Sequence, residues 1–212
     1  MKYKIVVARF NEDIEWLKPV ISDCIIYNKG GAVGLPNEIS IPNVGRESDT
    51  YLRYIIDNYD TLPDLVAFTQ GRISDHRRGD GVEYLLTLLA NAAEFDISLP
   101  NVIHDYTVNT GSNIYWGPEW NTPGQIENDW FLTNNYFENN HIPFCDFFKK
   151  HIQPTYPNPI KIFSNALFAV KKELILNHPK SYYEHLLLYV NYHNNPVEAH
   201  FFERSWYYIF AK

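Results

Sequence analysis

Tyr3-Lys4-Ile5-Val6-Val7-Ala8-Arg9-Phe10-Asn11-Glu12-Asp13 opens as a β-branched, apolar run and ends in a turn. The run shows no regular polar alternation, which suits a strand covered on both faces. Asn11-Glu12-Asp13 supplies turn residues and then acidic side chains for the first turn of a helix through Ile14, Trp16, Leu17 and Val20. The same order returns twice. Cys24-Ile25-Ile26-Tyr27 reads as a second buried strand running into Asn28-Lys29-Gly30-Gly31. After a Gly/Pro/Asn-rich loop, Ser48 or Asp49 can cap a helix whose apolar face is Tyr51, Leu52, Ile55, Ile56 and Tyr59. A third strand, Leu65-Val66-Ala67-Phe68, ends at Thr69-Gln70-Gly71-Arg72. Three strand–helix alternations in so short a span indicate an α/β fold with a central, mostly parallel sheet flanked by helices.

The periodicity further predicts a helix from about Gly81 to Phe95 and strands at 160–163 and 167–170. Two last helices are predicted, at about 181–192 and 197–210. Between these blocks lies an irregular stretch carrying Trp116, Trp120 and Trp130, with a short helix over 130–136. No repeat or linker composition divides the 212 residues. One domain is therefore expected over 1–212, with a nucleotide-binding half at 1–95 and an acceptor and catalytic half at 96–212.

Composition narrows the class. No apolar run approaches the roughly 20 residues of a membrane helix, so no membrane segment is expected. The first residues lack the pattern of a secretory leader, cysteines number two, and no glycosylation sequon occurs, so a reducing, cytoplasmic setting fits. The net charge of −7 argues against nucleic acid as the main partner. Lys and Arg are absent from 79–148 and gather in the first third and the last. If the chain binds an anionic small molecule, the first third is where its phosphates would be held; a solvated acidic middle with no role fits the same pattern equally well.

In an open α/β sheet, ligands sit beyond the carboxyl ends of the strands. The residues placed there are Ala8, Arg9, Phe10 and Asn11, then Asn28 and Lys29, then Gln70, Gly71 and Arg72 with Asp75 and His76. Cations, amides and a carboxylate on one rim suit a nucleoside diphosphate with a divalent ion. The same Asp75-His76 pair also suits a solvated loop. The glycine-rich dinucleotide, P-loop, zincin and serine-hydrolase signatures are all absent.

The densest chemistry lies at 196–210. A helix there places Glu198 near a positive end, where an anion is favoured and a carboxylate base could work. It sets His200 and Arg204 on one face. A core helix with Glu203 and Arg204 in a structural ion pair satisfies the same spacing.

Several segments carry a resemblance: Val7-Ala8-Arg9-Phe10-Asn11-Glu12-Asp13, Tyr27-Asn28-Lys29-Gly30, Asn43-Val44-Gly45-Arg46-Glu47, Tyr51-Leu52-Arg53-Tyr54-Ile55, Phe163-Ser164-Asn165-Ala166-Leu167-Phe168-Ala169-Val170 and Glu203-Arg204-Ser205-Trp206. In that order they resemble an uncharacterised domain family of fungi, bacteria and large viruses. More closely, nearly the whole chain is similar to the N-terminal glycosyltransferase domains of chlorella viruses that help build the glycan of a major capsid protein. The resemblance implies a GT-A-like fold, a UDP-sugar donor of glucose or rhamnose type, Mn2+ or Mg2+, and a glycan or glycoprotein acceptor. It implies that Arg9, Phe10 and Asn11 hold the base and ribose, and that Asn43, Gly45, Arg46 and Glu47 close over the nucleotide and its phosphates. Ser164, Asn165 and Ala166 would lie beneath the donor sugar, and Glu198 would be the catalytic carboxylate, with Glu203 as the neighbouring choice and Arg204 following. The chain departs from the family's Asp-x-Asp, reading Gln70-Gly71-Arg72 at that place, which leaves Asp75 and His76 as metal ligands.

Sequence thus leads to a UDP-sugar-dependent glycosyltransferase. Its rivals are a catalytically idle nucleotide-sugar or glycan-binding module and a metal-dependent phosphodiesterase on the same ligand.

Overall fold

The computed structural model describes residues 1–74, 80–95, 97–98, 103–105, 144–156, 161–163 and 166–210. Six strands set the frame: β1 (Tyr3–Arg9), β2 (Cys24–Asn28), β3 (Glu38–Ser40), β4 (Leu65–Gln70), the short β5 (Ile97–Ser98) and, later in the chain, β8 (Phe168–Lys171). They form one sheet in the order β3-β2-β1-β4-β8-β5. β1 pairs in parallel with both β2 and β4, and β2 with β3, whereas β8 runs antiparallel to β4 and β5. The sheet is mixed and mostly parallel, with helices on both faces. A separate antiparallel pair joins β6 (Ile103–Asp105) to β7 (Lys161–Phe163).

Alternation along each strand splits the core in two. Val6, Tyr27, Val66, Phe68, Phe168 and Val170 face α1 (Arg46–Asn58), α3 (Phe144–His151), α5 (Lys180–Leu187) and α6 (Val197–Phe210). Ile5, Val7, Ile26, Ala67 and Ala169 face α2 (Gly81–Phe95) and a 3-10 helix at Glu15–Asp23. A four-residue α4 (Lys172–Ile175) follows β8. The first layer is aromatic: Tyr51, Phe68, Phe168, Phe202, Trp206 and Phe210 pack ring against ring, with Trp206 and Phe210 stacked at 6.0 Å.

Several elements differ from the sequence expectation. The helix after β1 is 3-10 along its length, with Pro19 inside it. Pro19 has no amide hydrogen to donate and its ring crowds the preceding turn, which disfavours an α-helix. α1 starts at Arg46, before Ser48 or Asp49, because Gly45 occupies the cap position in the left-handed region. Ser48 is instead buried and donates to the carbonyl of Ala199, tying α1 to α6. The helix α3 and strands β3, β5 and β6 carried no legible pattern. The segment with Trp116, Trp120 and Trp130, including the helix expected over 130–136, lies outside the described residues.

Candidate functional site

The chain leaves β1 for β2 and β3 on one side, then returns to place β4 on the other side of β1. The loops after β1 and β4 therefore diverge, and a crevice opens between them at the carboxyl ends. A cavity of about 330 Å³ occupies it, lined by Ala8, Arg9, Phe10, Glu12, Lys29, Asn43, Arg46, Glu47, Gln70, Arg72 and Asn194. Its wall carries four cationic side chains and two carboxylates.

Arg9 closes β1 and is only 7% exposed. Its Nε donates to the carbonyl of Glu12 at 3.0 Å, and its Nη1 to Asn28 Oδ1 at 2.9 Å and to the carbonyls of Gly31 at 2.7 Å and Phe10 at 3.2 Å. One guanidinium thus fixes the loops after β1 and β2 against each other. All four acceptors are neutral, and no described carboxylate forms an ion pair with Arg9, so its charge stays available to an anion in the cavity. Gly30 makes the close approach of these loops possible: a Cβ there would stand 1.9 Å from the carbonyl oxygen of Phe10. Asn11 is expected to touch ligand but does not line the cavity; its Oδ1 accepts from the amide of Gly31 at 2.9 Å. Phe10 is 46% exposed and lines the cavity.

The opposite wall is the loop before α1. Gly45 and Arg46 are both left-handed, at φ 64 and φ 50. Gly45 does not itself line the cavity; its amide donates to the carbonyl of His193 at 2.7 Å. Lys29 Nζ donates to the carbonyls of Val44 and Arg46 and lies 3.5 Å from Asp49 Oδ2. Asp49, fully buried, also takes Arg53 Nε on both oxygens at 2.9 Å. Burial lowers the Lys29 pKa to about 8, against the opposing pull of Asp49 and Glu47. Arg46 Nε stands 3.6 Å from Glu47, and its Nη1 donates to Asn195 Oδ1 at 3.3 Å.

From β4, Gln70 and the exposed Arg72 reach the cavity, while Gly71 packs behind it with its carbonyl accepting Trp16 Nε1 at 2.8 Å. Glu12 and Asn194 are functional candidates that sequence reasoning missed. Glu12 reads as a first-turn helix residue in sequence, yet its Oε2 accepts from the amide of Phe10 at 2.6 Å. Asn194 comes from the far end of the chain, and nothing in its neighbourhood signals it.

The expected catalytic group is not at the cavity wall. Glu198 lies in the first turn of α6 and accepts from Tyr192 Oη at 2.9 Å. His200 is buried behind Arg46, its Nε2–H donating to Asn195 Oδ1 at 3.1 Å. Burial, reinforced by the charges of Arg46 and Arg204, lowers its pKa to about 3, so the ring is neutral at ordinary pH. Arg204 donates to the carbonyl of His200 at 2.8 Å and pairs with Glu203 at 3.3 Å, the structural ion pair that the spacing also allows. Ala166 is buried, left-handed at φ 48, and its carbonyl accepts Tyr51 Oη at 2.9 Å. Ser164, Asn165, Asp75 and His76 lie outside the described residues.

No metal-holding group of three His, Cys, Asp or Glu side chains occurs among the described residues. Each of the two cavity carboxylates has a protein partner on one oxygen, Glu12 the Phe10 amide and Glu47 the Arg46 guanidinium. The described residues therefore do not by themselves fit a divalent ion. No described helix is long and apolar enough to cross a membrane.

Fold and cavity together define an α/β protein with a cation-lined pocket at the switch point of a mostly parallel sheet. The chain belongs to the DUF3431 family, described as proteins of unknown function, whose model matches residues 5–212. No curated protein and no solved structure matches it.

Proposed function

We propose that this chain is a glycosyltransferase domain of GT-A-like fold that holds a UDP-sugar in the switch-point cavity and transfers the sugar to a glycan or glycoprotein hydroxyl. One observation carries the reading: Arg9, Arg46 and Arg72 converge on one cavity beside the exposed ring of Phe10. Guanidinium groups suit a diphosphate, and an exposed ring suits a nucleobase. The volume is at the lower end of the roughly 300–1,000 Å³ typical of small-ligand pockets.

In the transfer, the acceptor oxygen bonds to the anomeric carbon, the bond from that carbon to the diphosphate oxygen breaks, and UDP leaves with both electrons. The arginines offset the charge that develops on the leaving diphosphate. The acceptor proton goes to a carboxylate, and Glu47 or Glu12 lies nearer to this role than Glu198 because both border the cavity. Mn2+ or Mg2+ would aid departure of the diphosphate, with Asp75 and His76 as the proposed ligands.

The absence of Glu198, His200 and Arg204 from the cavity wall favours a second reading, a nucleotide-sugar-binding module without transfer. Thermal midpoints with UDP, GDP and CMP, each with and without Mn2+, test the pocket, because a ligand bound by the folded state alone raises the midpoint. A rise confined to UDP supports both readings, and no rise with any nucleotide overturns both. Release of UDP from a UDP-sugar then separates enzyme from module.

A further inference from the structure

Lys29 borders the cavity, and in sequence it reads as a phosphate ligand. Its ammonium has three donors, and the fold uses all three: the Val44 carbonyl, the Arg46 carbonyl and Asp49 Oδ2 at 3.5 Å. The side chain is 4% exposed. The two carbonyls lie on either side of Gly45, at the only pair of adjacent left-handed residues among those described. Gly45 takes that conformation freely, whereas Arg46 in it is strained and persists only where its surroundings hold it. The Lys29 ammonium provides that restraint. The far end of Arg46 is also fixed, by Asn195 Oδ1 at 3.3 Å and by Glu47 at 3.6 Å. A right-handed Arg46 would re-aim its side chain.

We infer that Lys29 is a positioning residue: its ammonium staples the Val44 and Arg46 carbonyls so that the Arg46 guanidinium stands ready for the diphosphate, and Lys29 itself does not touch the ligand. This rests on the reading of the cavity as a nucleotide site.

Titration calorimetry with UDP on the wild type, Lys29→Met, Arg46→Ala and the double variant tests it. Each single change should weaken binding about tenfold, the worth of a charged hydrogen bond, and the double variant should lose no more than either. Losses that multiply would make Lys29 an independent ligand contact and overturn the inference, as would unchanged affinity in Lys29→Met. If Lys29→Met folds poorly, Lys29→Met combined with Arg46→Gly decides, since glycine adopts the left-handed conformation unaided. Recovery of the thermal midpoint supports the staple, and no recovery overturns it. A wild type that binds no UDP overturns the nucleotide reading and the ligand role of Arg46, while the staple is still decided by the glycine rescue.

Discussion

The backbone amide of Gly45 donates to the carbonyl of His193 at 2.7 Å, which joins the loop before α1 to the turn before α6. That bond sets the last third of the chain against the cavity and carries Asn194 to its wall. A Cβ on Gly45 would stand 2.5 Å from the Val190 carbonyl oxygen and 2.5 Å from Asp49 Cβ. Gly45→Ala should therefore destabilise the fold by about 2 kcal/mol or more, through strain and displacement of the loop. A urea midpoint equal to the wild type would refute this.

Arg9 and Arg72 should separate structure from ligand binding. Arg9→Met removes the guanidinium that donates to Asn28 Oδ1 and to the Gly31, Glu12 and Phe10 carbonyls and so unties the loops after β1 and β2, a loss of about 3 kcal/mol of stability. Arg72 is exposed, so Arg72→Ala should stay within about 0.5 kcal/mol of the wild type while UDP affinity drops about tenfold. Denaturant titration and calorimetry on both variants check the contrast; equal stability losses would remove the distinction.

Glu198 and Glu47 give a second contrast. Glu198→Gln should leave UDP affinity within about twofold of the wild type, since its hydrogen bond goes to Tyr192 and it does not line the cavity. Glu47→Gln alters the cavity wall and the partner of Arg46, so it should change both UDP affinity and any sugar transfer. Transfer lost in Glu198→Gln but intact in Glu47→Gln would return the base to Glu198.

His200 sets a pH dependence. Its pKa is lowered from 6.5 to about 3 by burial and by Arg46 and Arg204, so the folded ring stays neutral while the unfolded one takes a proton near 6.5. Its contribution is complete above 6.5 and is lost as pH falls from there towards 3. Between about pH 7 and pH 5, His200→Gln should lose about 2 kcal/mol less than the wild type. His151, lowered to about 4 chiefly by burial, acts in the same direction and remains in both proteins. Parallel losses in variant and wild type would show that His200 is protonated in the fold.

The amino-acid sequence was enough for the central strands of the sheet and for its rim. Buried runs such as 3–8 and 65–68 carry their own evidence, because a strand covered on both faces needs apolar side chains at every position. Once three such strands alternate with helices, the ligand end of the sheet follows, and Ala8, Arg9, Phe10, Lys29, Gln70 and Arg72 fall on it. Local geometry was less legible: the 3-10 helix after β1 and the early start of α1 depend on Pro19 and on a left-handed Gly45, each of which sequence allows in several settings. What each polar group does was settled only by tertiary structure. Lys29 and Arg9 look alike as rim cations, yet the Lys29 ammonium is satisfied by two carbonyls and Asp49, whereas Arg9 meets neutral acceptors and keeps its charge for the cavity. Asn194 reaches the wall because the hydrogen bond from Gly45 to His193 joins two distant segments, and such a partner leaves no periodic trace along a chain.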